Sequence, residues 1–136
     1  MEHLTKIEHL GIAVRDLDAA NELYTKLLGV GPYKEEAVES EGVRTSFFKA
    51  GPNKIELLEA TRPDSAIAKF IEKRGEGLHH VAYAVEDIHA EMARLKQAGF
   101  VLLNEVPKEG ADQKWVCFLH PKSAGGSLIE LCQDRG

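Results

Sequence analysis

The stretch Ile-Glu-His-Leu-Gly-Ile-Ala-Val at residues 7–14 returns, with changes, as Gly-Leu-His-His-Val-Ala-Tyr-Ala-Val at residues 77–85, so that His80 falls on His9 at an offset of 71 residues. The same offset carries Asp16 onto Asp87. Further along, Lys-Ile-Glu-Leu-Leu-Glu (54–59) lies over Leu-Ile-Glu-Leu-Cys-Gln (128–133), which puts Glu56 on Glu130 at an offset of 74. The three-residue slip belongs in a loop. An internal repeat constrains a fold strongly, because a unit used twice fixes the architecture. Function is therefore expected to rest on His9, Glu56, His80 and Glu130, one His and one Glu from each half.

The repeated strands are short. Residues 7–14 and 78–85 are apolar and β-rich, with too few residues for a stable lone helix. Each leads into a helix. After Asp16, a capping residue, Leu17, Ala20, Leu23, Tyr24, Leu27 and Leu28 recur at helical spacing until Gly29. After Asp87 the stripe is Ile88, Met92 and Leu95, and Gly99 ends it. Asp18 and His89 are expected on solvated first turns. Three strands then follow each helix, at about 33–39, 43–50 and 54–60, and at about 100–106, 114–119 and 127–133. The unit is βαβββ, used twice: module 1 at about 5–62 and module 2 at about 77–134. Between them Asp64 or Ser65 caps a connecting helix over about 64–75, with Ile67, Phe70 and Ile71 turned to the core. Turn chemistry is expected at Gly51-Pro52-Asn53 and from Pro107 to Gln113.

A chain of 136 residues fits one domain, here 1–136, and can bury roughly two-thirds of the surface its unfolded form exposes. The apolar fraction of 43% and charged fraction of 29% are those of an ordinary soluble protein. A net charge of −5 argues against a nucleic-acid partner, although not against a local basic patch for a phosphorylated ligand. No run reaches the length of a signal peptide or a membrane span, so a cytoplasmic protein is expected. Cys117 and Cys132, 15 residues apart, match no short-spaced zinc motif and read as buried, reduced thiols.

A carboxylate within an apolar strand is costly to bury unless it is paired or ligated. Glu56 stands between Ile55 and Leu57, and Glu130 between Ile129 and Leu131. Strand side chains alternate faces, so either Glu taken alone reads also as a residue of a solvated outer face. Either histidine taken alone reads as a satisfied core or edge residue. The repeat changes this, because equivalent residues of two related modules converge on their axis. Two His and two Glu there form a closed set of N and O donors suited to Zn, Ni, Co, Mn or Fe, with no thiolate to suggest a structural zinc. Four protein ligands on an ion that can take six leave two positions for substrate oxygens. His79 must face away from His80 and is assigned to packing or a supporting hydrogen bond. His3, near the terminus, is expected to be inert. The turn His120-Pro121-Lys122-Ser123 before Ala124-Gly125-Gly126 reads either as a plain hairpin loop or as an anion or acyl-group contact.

Across nearly its whole length the chain resembles the vicinal oxygen chelate superfamily, and within it the methylmalonyl-CoA epimerases. The resemblance is carried by Ile7-Glu8-His9-Leu10-Gly11-Ile12-Ala13-Val14, Gly77-Leu78-His79-His80, and Phe118-Leu119-His120-Pro121-Lys122-Ser123 with Gly126-Ser127-Leu128-Ile129-Glu130-Leu131. It implies an α+β fold in which the two tandem βαβββ modules form a curved mixed eight-stranded sheet that cups a metal site. It further implies an isomerase that interconverts (R)- and (S)-methylmalonyl-CoA by 1,1-proton transfer through a metal-stabilised enolate, acting as a homodimer on an acyl-CoA. The metal ligands are His9, Glu56, His80 and Glu130, and Glu130 is also the base. Some members place a second Glu after a Gly-Val pair; here Gly42-Val43-Arg44 is followed by Thr45, so the second acid is Glu41 or another nearby Glu, or a water. Lys122, Ser123, Arg44 and Thr45 are candidate substrate contacts. The first-module ligand is Gln in some epimerases, whereas Glu56 is as in the glyoxalases. A glyoxalase I-type lyase is therefore the alternative enzyme, and a metal-free ligand-binding protein of the same fold the alternative class.

Overall fold

The computed structural model describes residues 3–136. The order of elements is β1 (Lys6–Ala13), α1 (Leu17–Leu28), β2 (Lys34–Val38), β3 (Val43–Ala50), β4 (Asn53–Ala60), α2 (Ala66–Arg74), β5 (Gly77–Ala84), α3 (Ile88–Gln97), β6 (Lys108–Gly110), β7 (Lys114–Leu119) and β8 (Ile129–Asp134). Two single 3₁₀ turns, Glu39–Glu41 and Pro121–Ser123, complete it. The expected βαβββ unit thus occurs twice, with α2 between the copies.

Contacts divide the chain into a first unit, His9–His79, and a second, His80–Gly136 together with the residues up to Glu8. The N-terminal segment joins the second unit because the Thr5 backbone N–H donates to Ala84 O at 2.9 Å. His3 belongs there too and is not inert: its Nδ1 lies 3.1 Å from Glu91 Oε2, a carboxylate that Arg94 also holds at 2.7 Å.

In the first unit the strand order is β2-β3-β4-β1, with β1 and β4 parallel and the other neighbours antiparallel. One sheet face packs on α1 through Val14, Leu17, Ala20, Phe48 and Leu57. The other packs on α2 through Ala13, Val43, Leu58 and Ile67, with Phe70 and Ile71 partly buried beside them. Ser65, not Asp64, caps α2, its hydroxyl accepting from Ala68 N–H at 3.1 Å, while Asp64 pairs with Arg62 at 3.0 Å. Leu23 and Leu27 leave the expected stripe of α1, at 62% and 69% exposed. At about 100° per residue they fall on the shoulder of the arc that Leu17, Ala20, Tyr24 and Leu28 share.

The second unit repeats the order as β5-β8-β7-β6, again with one parallel pair, β5 and β8. Its core joins Val85, Ile88, Met92, Leu95, Cys117, Leu119 and Leu131. The helix starts repeat as well. Asp16 and Asp87 accept from Ala19 and Ala90 N–H, each at 3.1 Å, and the first N–H groups of α1 and α3 go to Glu59 and Gln133, three residues past Glu56 and Glu130.

The strand expected at 100–106 is not formed. Leu102 makes only an isolated bridge to Leu119. Asn104 inserts its side-chain amide into the ladder, accepting from Phe118 N–H at 3.1 Å and donating to Val116 O at 3.2 Å, so a side chain takes the place of backbone pairing. Pro107 then offers no N–H. The edge strand falls later, at Lys108–Gly110, inside the expected loop, and the chain reverses through Asp112 and Gln113 at φ 58° and 57°.

Candidate active site

Strand register builds the same pair twice. In the first unit Gly11 stands opposite Glu56 on the parallel β1–β4 pair, so Glu56 lies one step diagonally from His9, and its Oε2 is 3.1 Å from His9 Nδ1. In the second, Ala82 stands opposite Glu130, whose Oε1 is 3.1 Å from His80 Nε2. In each case the residue across from the carboxylate is small, which leaves room for the carboxylate to lean toward the imidazole. The histidine side chains are 3% and 6% exposed and the glutamates 7% and 8%, so the solvated-face alternative fails for both carboxylates. Each has the partner that burial demands.

Two further residues wall these pairs. Phe47 faces Glu56 across β3–β4, and Phe118 faces Glu130 across β7–β8. The Phe118 ring stands edge-on to His80, with centroids 6.1 Å apart, and Lys34 and Lys108 hold their ammonium groups 5.7 and 5.4 Å from the centres of the Phe47 and Phe118 rings. Sequence reasoning missed both phenylalanines, although they too are 71 residues apart. His79 packs as expected, edge-on against Phe70 at 4.9 Å, and so helps to seat α2.

Register separates the remaining candidates. Thr45 faces Leu58 on β4 and therefore shares the sheet face of Glu56 and Phe47. It is fully buried, and its Oγ1 has no hydrogen-bond partner among the described residues. Arg44, one residue away, is turned to the α1 face, where Glu35, Glu59 and Asp18 surround it at 3.1, 3.4 and 3.6 Å. Glu41 ends the 3₁₀ turn before β3, outside the strand register. In the second unit the Ser123 hydroxyl donates to His120 O at 2.9 Å and accepts from Val101 N–H at 3.0 Å, so it ties the turn to the preceding segment. The Lys122 side chain is exposed, while its N–H donates to His120 Nδ1 at 3.1 Å. Cys117 and Cys132 are buried free thiols, and burial pushes the Cys117 thiol up to about 11.

Comparison with known proteins bears on this arrangement. Residues 8–118 match the model of the glyoxalase/bleomycin resistance protein/dioxygenase superfamily. The chain belongs to this superfamily. Within the superfamily it is 44% identical over 130 residues to the ethylmalonyl-CoA/methylmalonyl-CoA epimerase of Cereibacter sphaeroides, covering 94% of this chain and 97% of that one. The crystal structure of methylmalonyl-CoA epimerase from Mycobacterium tuberculosis superposes with a TM-score of 0.94 at 37% identity, over 98% of this chain and 91% of that one. A Streptomyces coelicolor methylmalonyl-CoA epimerase in complex with 2-nitronate-propionyl-CoA gives 0.94 at 38%, over 98% and 99%. The fold is thus the one these superfamily members share. No helix among the described residues is long and apolar enough to cross a membrane.

Proposed function

We propose that the chain is a methylmalonyl-CoA epimerase, interconverting the (R) and (S) epimers by 1,1-proton transfer, and that His9, Glu56, His80 and Glu130 hold one divalent ion. The observation that carries the ligand set is the buried His–Glu pair that recurs in the same register in each unit. The donor chemistry fits such an ion: two imidazoles and two carboxylates, with no thiolate, match Co, Mn, Ni or Zn. When bound, the ion supplies Lewis-acid stabilisation to the negative charge that develops on the thioester oxygen.

The protein's own groups do the rest. Glu130 takes the proton from the carbon between thioester and carboxylate, and its burial beside His80 keeps competing water away from it. Phe47 and Phe118 supply apolar walls beside the two carboxylates, where electrostatic interactions are stronger than in water. Thr45 offers a hydroxyl from the first unit's sheet, and exposed Lys122 a charge for the anionic CoA. Assembly as a cytoplasmic homodimer belongs to the same reading, and light scattering tests the oligomer.

The decisive assay gives the purified protein (R)-methylmalonyl-CoA in one cuvette and the glutathione hemithioacetal of methylglyoxal in another. Turnover of the thioester, abolished in Glu130→Ala, is the expected result. Isomerisation of the hemithioacetal alone would instead make the protein a glyoxalase I-type lyase, and binding without turnover of either would make it a ligand-binding member of the superfamily. Near-normal turnover by Glu130→Ala would remove that residue as base.

A further inference from the structure

Inverting a carbon centre takes a proton carrier on each side of it, and Glu130 accounts for one. On the epimerase reading above, the first unit contains groups suited to the other. Thr45 is 0% exposed and its hydroxyl has no hydrogen-bond partner among the described residues, a condition that costs roughly 1–3 kcal/mol and is rare in native proteins. It lies diagonally from Glu56 across β3–β4, a separation of roughly 7–8 Å that a small substrate held at Glu56 can span.

The other cross-strand neighbour of Thr45 is Glu36 on β2, which the register puts on the same face. Two contacts agree with that placement. Lys34, two residues from Glu36, lies over Phe47 and holds Glu36 Oε1 at 3.2 Å. The Glu36 side chain is 31% exposed, so its carboxylate can exchange protons with solvent. The second unit is different here. The residue 71 positions after Thr45 is Val116, which is 4% exposed and faces Lys108. The βαβββ unit therefore does not need a hydroxyl and a carboxylate at this place in order to fold.

We propose that Thr45 and Glu36 form the second proton route, with Thr45 the group that meets the substrate carbon and Glu36 acting through it. When the carbanionic carbon is protonated, its new C–H bond forms as the Thr45 O–H bond breaks, and the Glu36 carboxylic acid passes its proton to the Thr45 oxygen, leaving a carboxylate. In the opposite direction each transfer reverses, and Glu36 then exchanges with solvent. This gives the polar pair a role that the fold does not.

The test follows each epimer separately in D₂O by proton NMR, using wild type, Thr45→Val, Thr45→Ser, Glu36→Gln and Glu41→Gln. In Thr45→Val and Glu36→Gln, inversion should fall by about 100-fold or more, the usual worth of a positioned acid or base, while the epimer that presents its proton to Glu130 still exchanges it for deuterium without inverting. Thr45→Ser should restore inversion. The Kd of propionyl-CoA, measured by calorimetry, should be unchanged in Thr45→Val. Equal loss of exchange from both epimers would mean a structural role and overturn the proposal. So would inversion by Thr45→Val at the wild-type rate, or one-sided exchange in Glu41→Gln, which would move the role to Glu41. Wild type that neither inverts nor exchanges would instead defeat the epimerase reading itself.

Discussion

Removing His80 tests the pairing and the ligand set at once. His80 and Glu130 are 6% and 8% exposed and 3.1 Å apart, so His80→Ala strips a buried carboxylate of its imidazole. Breaking a buried pair from one side costs about 3–5 kcal/mol, whereas removing both partners relieves part of that penalty. In the metal-free protein, urea denaturation of His80→Ala, Glu130→Ala and the double variant should therefore show a coupling energy of about 1–3 kcal/mol, with the double variant more stable than the two single losses would give. Metal supplies a second, independent reading. Cobalt at about 100 times its Kd should stabilise wild type by about 2.7 kcal/mol, whereas a variant whose affinity has dropped about 100-fold gains only about 0.4 kcal/mol at that concentration. The melts are run in EDTA and then in cobalt. Additive losses in EDTA together with an undiminished cobalt shift in His80→Ala would refute both the coupling and the place of His80 among the ligands.

Three other outcomes follow from the same structure. Ala82 is fully buried opposite Glu130, so Ala82→Leu should destabilise the protein by about 1–3 kcal/mol and weaken cobalt binding, as calorimetry would show. Ser65→Ala removes the cap of α2 and should cost about 1 kcal/mol in a urea melt, with metal binding intact. Burial raises the Cys117 thiol from 9.0 to about 11, so the folded state favours the neutral form; that contribution is complete below pH 9 and is lost as pH rises through 11, by up to about 3 kcal/mol. Cys117→Ala should flatten the fall in stability over that interval, and an unchanged slope would count against the desolvation argument.

Much of the architecture was legible in the sequence because repetition does not depend on long-range information. His9 and His80, Asp16 and Asp87, and Glu56 and Glu130 could be aligned by counting, and the helices and strands between them followed from periodicity and capping. The segment at 100–106 could not be read in this way, because its apolar Val101, Leu102 and Leu103 resemble a strand while Asn104 decides the pairing through its side chain. The shoulder positions Leu23 and Leu27 failed for a similar reason: periodicity gives an arc, and only the neighbouring sheet fixes how much of it is covered.

The sequence by itself determined the repeated unit, the residue types at its two His and two Glu positions, and the chemistry of that donor set. Which residues share a face was decided only by strand register, a property of paired strands that neither strand contains alone. Register set Gly11 across from Glu56 and Ala82 across from Glu130, brought Phe47 and Phe118 beside them, and turned Arg44 toward α1. It also put Thr45 and Glu36 on the face of Glu56, from strands whose sequences give no sign that they are neighbours.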